Sequence, residues 1–180
     1  MTSTDFPLTP LFDVRAQARI AATPAEVYAV VSDLPRSAEW SPECLGGTWV
    51  SGSPATVGAV FRGENLRAES VVAWAPVVRG TWHTESQVVA AEPGRVFRWA
   101  MRDRAGNPQD SVWSYEIAAD GDGCVLAHGL RMGAATEGIR GITAEMDEAT
   151  RAKFLAEWTE KLTGDLRATV LRVKAIVEKA

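Results

Sequence analysis

Residues 151–178 read RAKFLAEWTEKLTGDLRATVLRVKAIVE, and this stretch decides the fold. Its larger apolar residues recur every three or four positions, so they share one stripe on a helix. The stripe consists of Leu155, Trp158, Leu162, Leu166, Val170, Val173 and Val177. At a rise of about 1.5 Å per residue the predicted helix is roughly 40 Å long, enough to cross a whole domain. A helix with one apolar stripe must bury that stripe against another element of the chain.

The stretch between Cys44 and Met132 supplies that element, because apolar and polar residues alternate along it as in half-buried strands. Short turns rich in Gly, Pro, Asn and Asp separate the runs and favour antiparallel neighbours in a meander. Six strands are predicted: Leu45–Ser51, Ala59–Leu66, Gly80–Ala90, Val96–Arg102, Ser111–Ala119 and Val125–Met132. The segment 66–79 could be a strand edge or a loop folded over the sheet.

The chain before this meander predicts a strand at residues 15–22 and then two short helices. Thr23-Pro24-Ala25-Glu26 has a Thr N-cap, Pro at the first helical position and Glu at the third, which is a capping box. Asp33-Leu34-Pro35 begins a second short helix that ends near Trp40. Residues 133–150 predict a connection containing a short helix. We interpret residues 1–14 as an N-terminal leader and residues 15–180 as a single α+β domain.

Composition excludes several classes of protein. The chain has 180 residues, of which 46% are hydrophobic and 23% charged, so it can bury a core without a disulfide or a metal. Its net charge of −4 gives no support to a nucleic-acid partner. Apolar runs are far shorter than the roughly 20 residues that span a bilayer, so stable membrane insertion is not expected. Cys44 and Cys124 have no paired spacing and predict free thiols in a reducing compartment, the cytoplasm.

Motifs for cofactor chemistry are missing as well. The sequence has no GxGxxG after a strand, no GxxxxGK(S/T), no GxSxG and no HExxH. Only two histidines are present, and neither lies in a Cys/His cluster. We therefore predict no metal and no cofactor. The sequence does not indicate an oligomeric state.

Alternation also predicts which side chains face the long helix, since the apolar face of each strand must pack against it. The inward set contains Phe61, Asn65, Trp82, Ser86, Trp99, Met101, Trp113, Tyr115 and His128. The outward set is charged and includes Arg98, Arg102 and Arg131, which we interpret as a solvated face. Glu39 and Glu43 flank Trp40, and surface solvation accounts for them.

Six short stretches resemble the START and birch-pollen-allergen (SRPBCC) superfamily, within it the polyketide cyclase/dehydrase-like branch. They are residues 22–28 (ATPAEVY), 31–34 (VSDL), 39–43 (EWSPE), 58–65 (GAVFRGEN), 92–97 (EPGRVF) and 171–174 (LRVK). The resemblance covers residues 15–178 and implies a helix-grip fold, a curved antiparallel sheet wrapped around a long C-terminal helix. Residues 133–150 are longer and richer in Gly than in the simplest members, and no catalytic signature of the aromatic cyclases is visible.

The resemblance also implies an apolar cavity between the sheet and the long helix, holding a hydrophobic or aromatic small molecule such as a polyketide or a lipid. His128 and Tyr115 are the candidate catalytic pair, because imidazole titrates near neutral pH and can move a proton in an aldol cyclisation and dehydration. Contacts with the ligand are predicted for Trp82, Ser86, Trp99, Met101, Trp113, Asn65, Phe61 and Trp158.

Three functions remain open at this point. The first is a cofactor-independent cyclase or dehydratase acting on polyketide-like substrates. The second is a non-catalytic carrier or binding protein that uses the same cavity. The third is an interaction protein whose core is filled, in which case the inward Trp residues and His128 are core residues.

Overall fold

The computed structural model describes residues 9–179. Its strands are β1 (Phe12–Ile20), β2 (Cys44–Ser51), β3 (Val60–Arg67), β4 (Gly80–Glu92), β5 (Val96–Arg102), β6 (Pro108–Asp120) and β7 (Gly123–Met132). Its helices are α1 (Pro24–Val31), a 3₁₀ helix (Leu34–Glu39), α2 (Glu137–Thr143) and α3 (Glu148–Val177). The predicted order of elements is confirmed, including both short helices after β1.

All seven strands form one antiparallel sheet in the order β1-β7-β6-β5-β4-β3-β2. The register changes between β2 and β3, between β4 and β5, and between β5 and β6. Such bulges bend a sheet, and this one curves around α3. Gly46 in β2 has a φ of +99°, and a Cβ there would collide with the carbonyl oxygen of Pro35. Glycine at this position therefore lets β2 pass close to the 3₁₀ helix.

Local capping fixes where the helices begin. In α1 the Thr23 hydroxyl accepts from the Glu26 N–H, while the Glu26 carboxylate accepts from the Thr23 N–H, so the predicted capping box is formed. Helix α3 is capped by Asp147, whose carboxylate accepts from the Thr150 N–H. The long helix thus begins at Glu148, three residues before the predicted start.

Strand β1 also begins three residues earlier than predicted, at Phe12 instead of Arg15. Phe12 and Val14 continue the alternation and are both buried against α3, which is why the strand extends to them. The part of the predicted leader at residues 1–8 lies outside the described residues.

The apolar core is divided into two clusters at opposite ends of the sheet. The first cluster joins α1, the 3₁₀ helix and the C-terminal half of α3 to residues such as Trp40, Phe61, Val88 and Phe97. The second cluster joins the N-terminal half of α3 and Ile139 of α2 to residues such as Phe12, Leu130 and Phe154. Between the two clusters the inner face of the sheet carries a different set of side chains.

Candidate ligand-binding site

Five side chains on the inner face of the sheet are only half-buried, although they point toward α3. This inner band consists of Trp82, Thr84, Trp99, Met101 and Trp113. Strand register puts them on one face, since Trp99 pairs with Trp113 and Ser86 with Met101. Side chains that face a filled core are excluded from solvent. Their partial exposure shows that solvent reaches this part of the inner face, so α3 does not cover it completely.

His128 lies at one border of the inner band, with 5% of its surface exposed. Its ring stacks on Tyr115 with centroids 4.2 Å apart and is flanked by the indoles of Trp113 at 5.7 Å and Trp99 at 6.2 Å. Nδ1 lies 2.9 Å from the carbonyl oxygen of Ser114. Because a carbonyl oxygen only accepts, Nδ1 carries the hydrogen and the lone pair is on Nε2.

Burial changes the acid–base properties of this stacked pair. It lowers the pKa of His128 to about 4, against the smaller opposing effect of the hydrogen bond to Ser114. Burial also raises the pKa of Tyr115 far above its ordinary value, against a smaller opposing effect of the Trp40 side chain. At neutral pH the pair therefore offers one neutral acceptor, Nε2, and one protonated donor, the phenol. This differs from the neutral-pH proton exchange that the residue type of His128 indicates.

The two predicted polar contacts, Asn65 and Ser86, are both buried on neighbouring strands. The Asn65 amide donates to the Thr84 hydroxyl at 3.2 Å, and thus its side chain is already joined to the inner band. Ser86 lies between Phe61 and Met101 in the strand register. These groups form a small polar patch on the inner face of the sheet.

Two of the predicted ligand contacts belong to the apolar clusters instead of the inner band. Phe61 is 4% exposed and packs edge-on against Trp49 in the first cluster. Trp158 of α3 is 7% exposed and stacks on Phe154 in the second. Trp99 packs against the first cluster and Trp113 against the second, but both stay half-buried, as do Trp82 and Met101.

An ion network joins α3 to the sheet beside the inner band, on the side of β2 and β3. We call it the Glu43 network; its members are Glu43, Arg67, Lys161 and Asp165. The Arg67 guanidinium donates to both Glu43 oxygens, at 2.8 and 3.0 Å. Lys161 of α3 lies 2.7 Å from Glu43 and 2.7 Å from Asp165. The network therefore joins the start of β2 and the end of β3 to α3.

The Glu43 network is partly removed from water and rests on indoles. The exposed fractions of the Arg67, Lys161 and Glu43 side chains are 10%, 15% and 18%. The Arg67 guanidinium lies 4.2 Å from the Trp82 ring and 5.0 Å from the Trp158 ring. Burial alone would raise the pKa of Glu43, but its bonds to Arg67 and Lys161 outweigh burial and lower that pKa.

The sequence alone does not predict this network, and the interpretation of Glu43 as a solvated surface residue is wrong. Arg67 is in phase with the inward residues Phe61, Gly63 and Asn65, and this was the available signal. A charge at an inward position requires a partner, but alternation within one strand does not name that partner.

The segment 68–79 is a loop, which decides between the two alternatives that the sequence leaves open. The guanidinium of Arg79 donates to the carbonyl oxygens of Glu69, Val71, Val72, Ala75 and Val77. The Trp74 indole N–H donates to Glu157 of α3 at 2.7 Å. Ala75 and Val77 are buried in the second cluster. The Arg79 guanidinium thus fixes the path of the loop, and the Trp74 indole attaches the loop to α3.

The predicted connection at residues 133–150 contains α2, which is attached to the turn between β5 and β6. The Glu137 N–H donates to the Gln109 side chain at 2.8 Å, and the Arg104 N–H donates to the Glu137 carboxylate at 3.1 Å. Ile139 is buried in the second cluster. Segment 133–150 and loop 68–79 therefore cover the same end of the sheet.

Two depressions of about 370 and 360 Å³ lie on the opposite, outer face of the sheet. Both include Arg15, Arg98 and Glu116, and Glu116 is paired with Arg15 at 2.7 Å and with Arg98 at 2.8 Å. These depressions are formed by paired surface charges. The inner face, with its indoles and few polar atoms, suits a hydrophobic ligand better, so we place the candidate site there.

Within residues 9–179 no three His, Cys, Asp or Glu side chains are grouped as a metal ion would require. None of the helices in the same range is both long and apolar enough to cross a membrane, although α3 has 30 residues.

The curved sheet gripping α3 is the helix-grip fold of the SRPBCC superfamily, as the sequence predicts. Residues 12–178 match the family model described as polyketide cyclase/dehydrase and lipid transport, so the chain belongs to that family. No curated protein matches the sequence significantly.

Solved structures agree with this assignment. The chain is 27% identical to the Polyketide_cyc-like protein Cgl2372 from Corynebacterium glutamicum, with a TM-score of 0.63 over 94% of this chain and 93% of that one. It is 13% identical to the di-domain ARO/CYC StfQ of the steffimycin biosynthetic pathway, with a TM-score of 0.65, and the match covers 93% of this chain but 50% of that one. Ara h 8.0201 is 11% identical, with a TM-score of 0.55 over 94% and 99% of the two chains. The latter two likenesses concern the fold.

Proposed function

We propose that this protein binds a hydrophobic, ring-containing small molecule between the inner band and α3. The observation that supports this proposal is the partial exposure of four large inward side chains, Trp82, Trp99, Met101 and Trp113, between two well-packed clusters. Indole faces stack favourably on flat apolar rings. Membership of a cyclase and lipid-transport family points in the same direction.

Polar groups beside the band select among such molecules. Nε2 of His128 can only accept a hydrogen bond at neutral pH, because Nδ1 is held by Ser114 and the pKa is about 4. A ligand hydroxyl or phenol supplies the matching donor, whereas an ether or a ketone does not. We therefore infer that the ligand is apolar over most of its surface and carries at least one hydroxyl.

Filling the space with a larger side chain tests this function. Met101→Trp adds bulk to the inner band and should weaken binding of the neutral fluorophore N-phenyl-1-naphthylamine at least tenfold. Val89→Trp is the matched control, because Val89 of β4 is 41% exposed, outside the core. It should change the dissociation constant less than twofold. Binding is followed by quenching of tryptophan emission.

Equal affinity in Met101→Trp, Val89→Trp and the unmodified protein would place the fluorophore elsewhere. No saturable quenching at all, by this fluorophore or by a panel of phenolic polyketides and fatty acids, would support the filled-core alternative instead.

Cyclase or dehydratase activity is the second candidate function, and the stacked His128–Tyr115 pair favours it. The phenol could donate to a substrate carbonyl while Nε2 accepts a proton, which are the roles that an aldol step requires. A base with a pKa of about 4 is weak at neutral pH, and the pair therefore supports binding better than turnover. If a β-keto thioester analogue is cyclised, His128→Gln should lower kcat by roughly 10²–10⁴-fold with little change in affinity.

We also propose a reducing compartment, the cytoplasm, as the location. Cys44 and Cys124 are both free, and burial raises the pKa of each thiol. Neither thiol is therefore poised for oxidation at neutral pH.

A further inference from the structure

Helix α3 meets the two sides of the sheet in different ways. Its backbone packs closely against β1 and β7, which lie at one side. Toward β2 and β3, at the other side, side chains make the connection: the Glu43 network holds the start of β2 and the end of β3, and the first cluster holds Phe61 of β3. The inner band lies between these two sides. Opening this side next to Trp82 therefore requires breaking the Glu43 network, while the first cluster and the packing on β1 and β7 can stay intact.

The ion pairs of the network hold the strands against α3 but can open transiently. A partly buried ion pair loses hydration on forming, so much of its Coulomb energy is cancelled. When it separates into water, hydration is recovered and the cost of opening falls. Apolar surface recovers no comparable hydration free energy when it is exposed to water. Ion pairs with exposed fractions of 10–28% are therefore easier to open transiently than the clusters at the two ends.

The internal bonding of the network also argues against its being a receptor for a ligand anion. Two groups of the Arg67 guanidinium bond Glu43, and the third donates to the Val78 carbonyl at 2.9 Å. Lys161 lies between two carboxylates. The charges of the four members cancel, so a ligand carboxylate would have to displace Glu43.

We propose that the Glu43 network is a latch that controls passage of the ligand to the inner band. Opening it separates the start of β2 and the end of β3 from α3, and closing it brings the Arg67 guanidinium back between the Trp82 and Trp158 indoles. The statement about passage rests on the proposed binding function. The statement about opening does not depend on it and has a measurement of its own.

Glu43→Gln tests the latch, because it removes the charge that both cations share and keeps the size of the side chain. The neutral fluorophore N-phenyl-1-naphthylamine is used in stopped-flow mixing, because its affinity does not depend directly on the charge of the network. Association and dissociation rates should both rise about tenfold, while the dissociation constant changes less than threefold. Glu39→Gln is the matched control: it breaks an exposed pair with Arg36 that does not reach α3. Its rates should equal those of the unmodified protein.

Hydrogen exchange measures opening without any ligand. In Glu43→Gln, amides of β2, β3 and loop 68–79 should exchange about tenfold faster, while those of β7 keep their protection. Unchanged exchange in those segments overturns the latch, whether or not a ligand binds. If exchange quickens but no fluorophore binds to any variant, the proposed binding function fails and the part of the latch that concerns passage fails with it.

One further result would replace the latch by another role. The anionic fluorophore 1-anilinonaphthalene-8-sulfonate is compared with the neutral one. A selective gain of tenfold or more in affinity for the anion in Glu43→Gln, with unchanged rates for the neutral probe, would make Arg67 and Lys161 an anion receptor and overturn the proposal.

Discussion

Different interactions hold α3 against the two sides of the curved sheet. On the side of β1 and β7, α3 buries Phe154, Leu162 and Leu166 against strand residues such as Phe12 and Leu130. On the side of β2 and β3, four charged side chains resting on indoles join the start of β2 and the end of β3 to α3, next to the apolar contact of Phe61 in the first cluster. Apolar burial gains stability in proportion to area and resists opening, whereas ion pairs gain little net stability and recover hydration when they part. This difference would let the fold stay stable and still admit the proposed ligand.

The largest expected effect is on the apolar side. Leu166 is fully buried, so Leu166→Ala should lower the free energy of unfolding by about 2–5 kcal/mol. Leu171, on the same helix and 50% exposed, is the control, and Leu171→Ala should cost less than about 0.5 kcal/mol. Urea denaturation of the three proteins measures this. Similar losses in both variants would mean that α3 does not carry the core on this side.

A smaller effect is expected on acidification, from the buried His128 of β7. Its pKa is about 4 in the folded protein and 6.5 when unperturbed, so between these values the unfolded chain binds the additional proton. Stability should therefore fall by about 3 kcal/mol as pH decreases from 6.5 to 4, and stay flat above that range.

His128→Gln supplies the control for this titration, since glutamine keeps hydrogen-bonding groups but does not titrate. Its loss of stability over the same range should be smaller by most of that amount. Glu43 contributes separately at lower pH: its pKa is lowered, so its stabilisation is present above the ordinary value of 4.5 and is lost below it. Identical pH profiles for the two proteins would show that His128 is not buried as described.

The smallest expected change in stability comes from replacing the ion pair on the side of β2 and β3 by apolar side chains. In the double variant Glu43→Met, Arg67→Met, Lys161 keeps Asp165 as its partner. Replacing a partly buried ion pair by apolar side chains of similar volume should leave the free energy of unfolding within about 1 kcal/mol. Amide exchange in β2 and β3 should slow down, because opening no longer recovers hydration. Faster exchange in the double variant would contradict the comparison between the two sides.

The periodic features of the sequence were sufficient to predict the architecture. Alternation identified six strands and placed residues such as Trp99, Tyr115 and His128 on the inner face, because a strand has only two faces. Element ends were less well predicted. The sequence does not indicate Phe12 as the start of β1, because Pro7 and Pro10 precede it closely, and it does not indicate Asp147 as the cap of α3.

The site was predictable only in part, for a different physical reason. Residue type and face identified the inner band, but a pKa depends on burial from all directions, and the low value at His128 follows from packing that no local pattern encodes. The Glu43 network joins residues that are far apart in the sequence: Arg67 follows Glu43 by 24 positions, and Lys161 follows it by 118. Its assembly depends on the register of β2 on β3 and on the rotation of α3 about its axis.

The loop between β3 and β4 is shaped by bonds from the Arg79 guanidinium to five main-chain carbonyl oxygens. Every residue type carries the same main-chain oxygen, so these bonds do not depend on which side chains the loop carries. Positions such as Ser70 and Ala73, whose carbonyl oxygens Arg79 does not use, can therefore vary while the path of the loop persists. The loop over this end of the candidate site can therefore change its surface side chains by mutation, as long as Arg79 is retained.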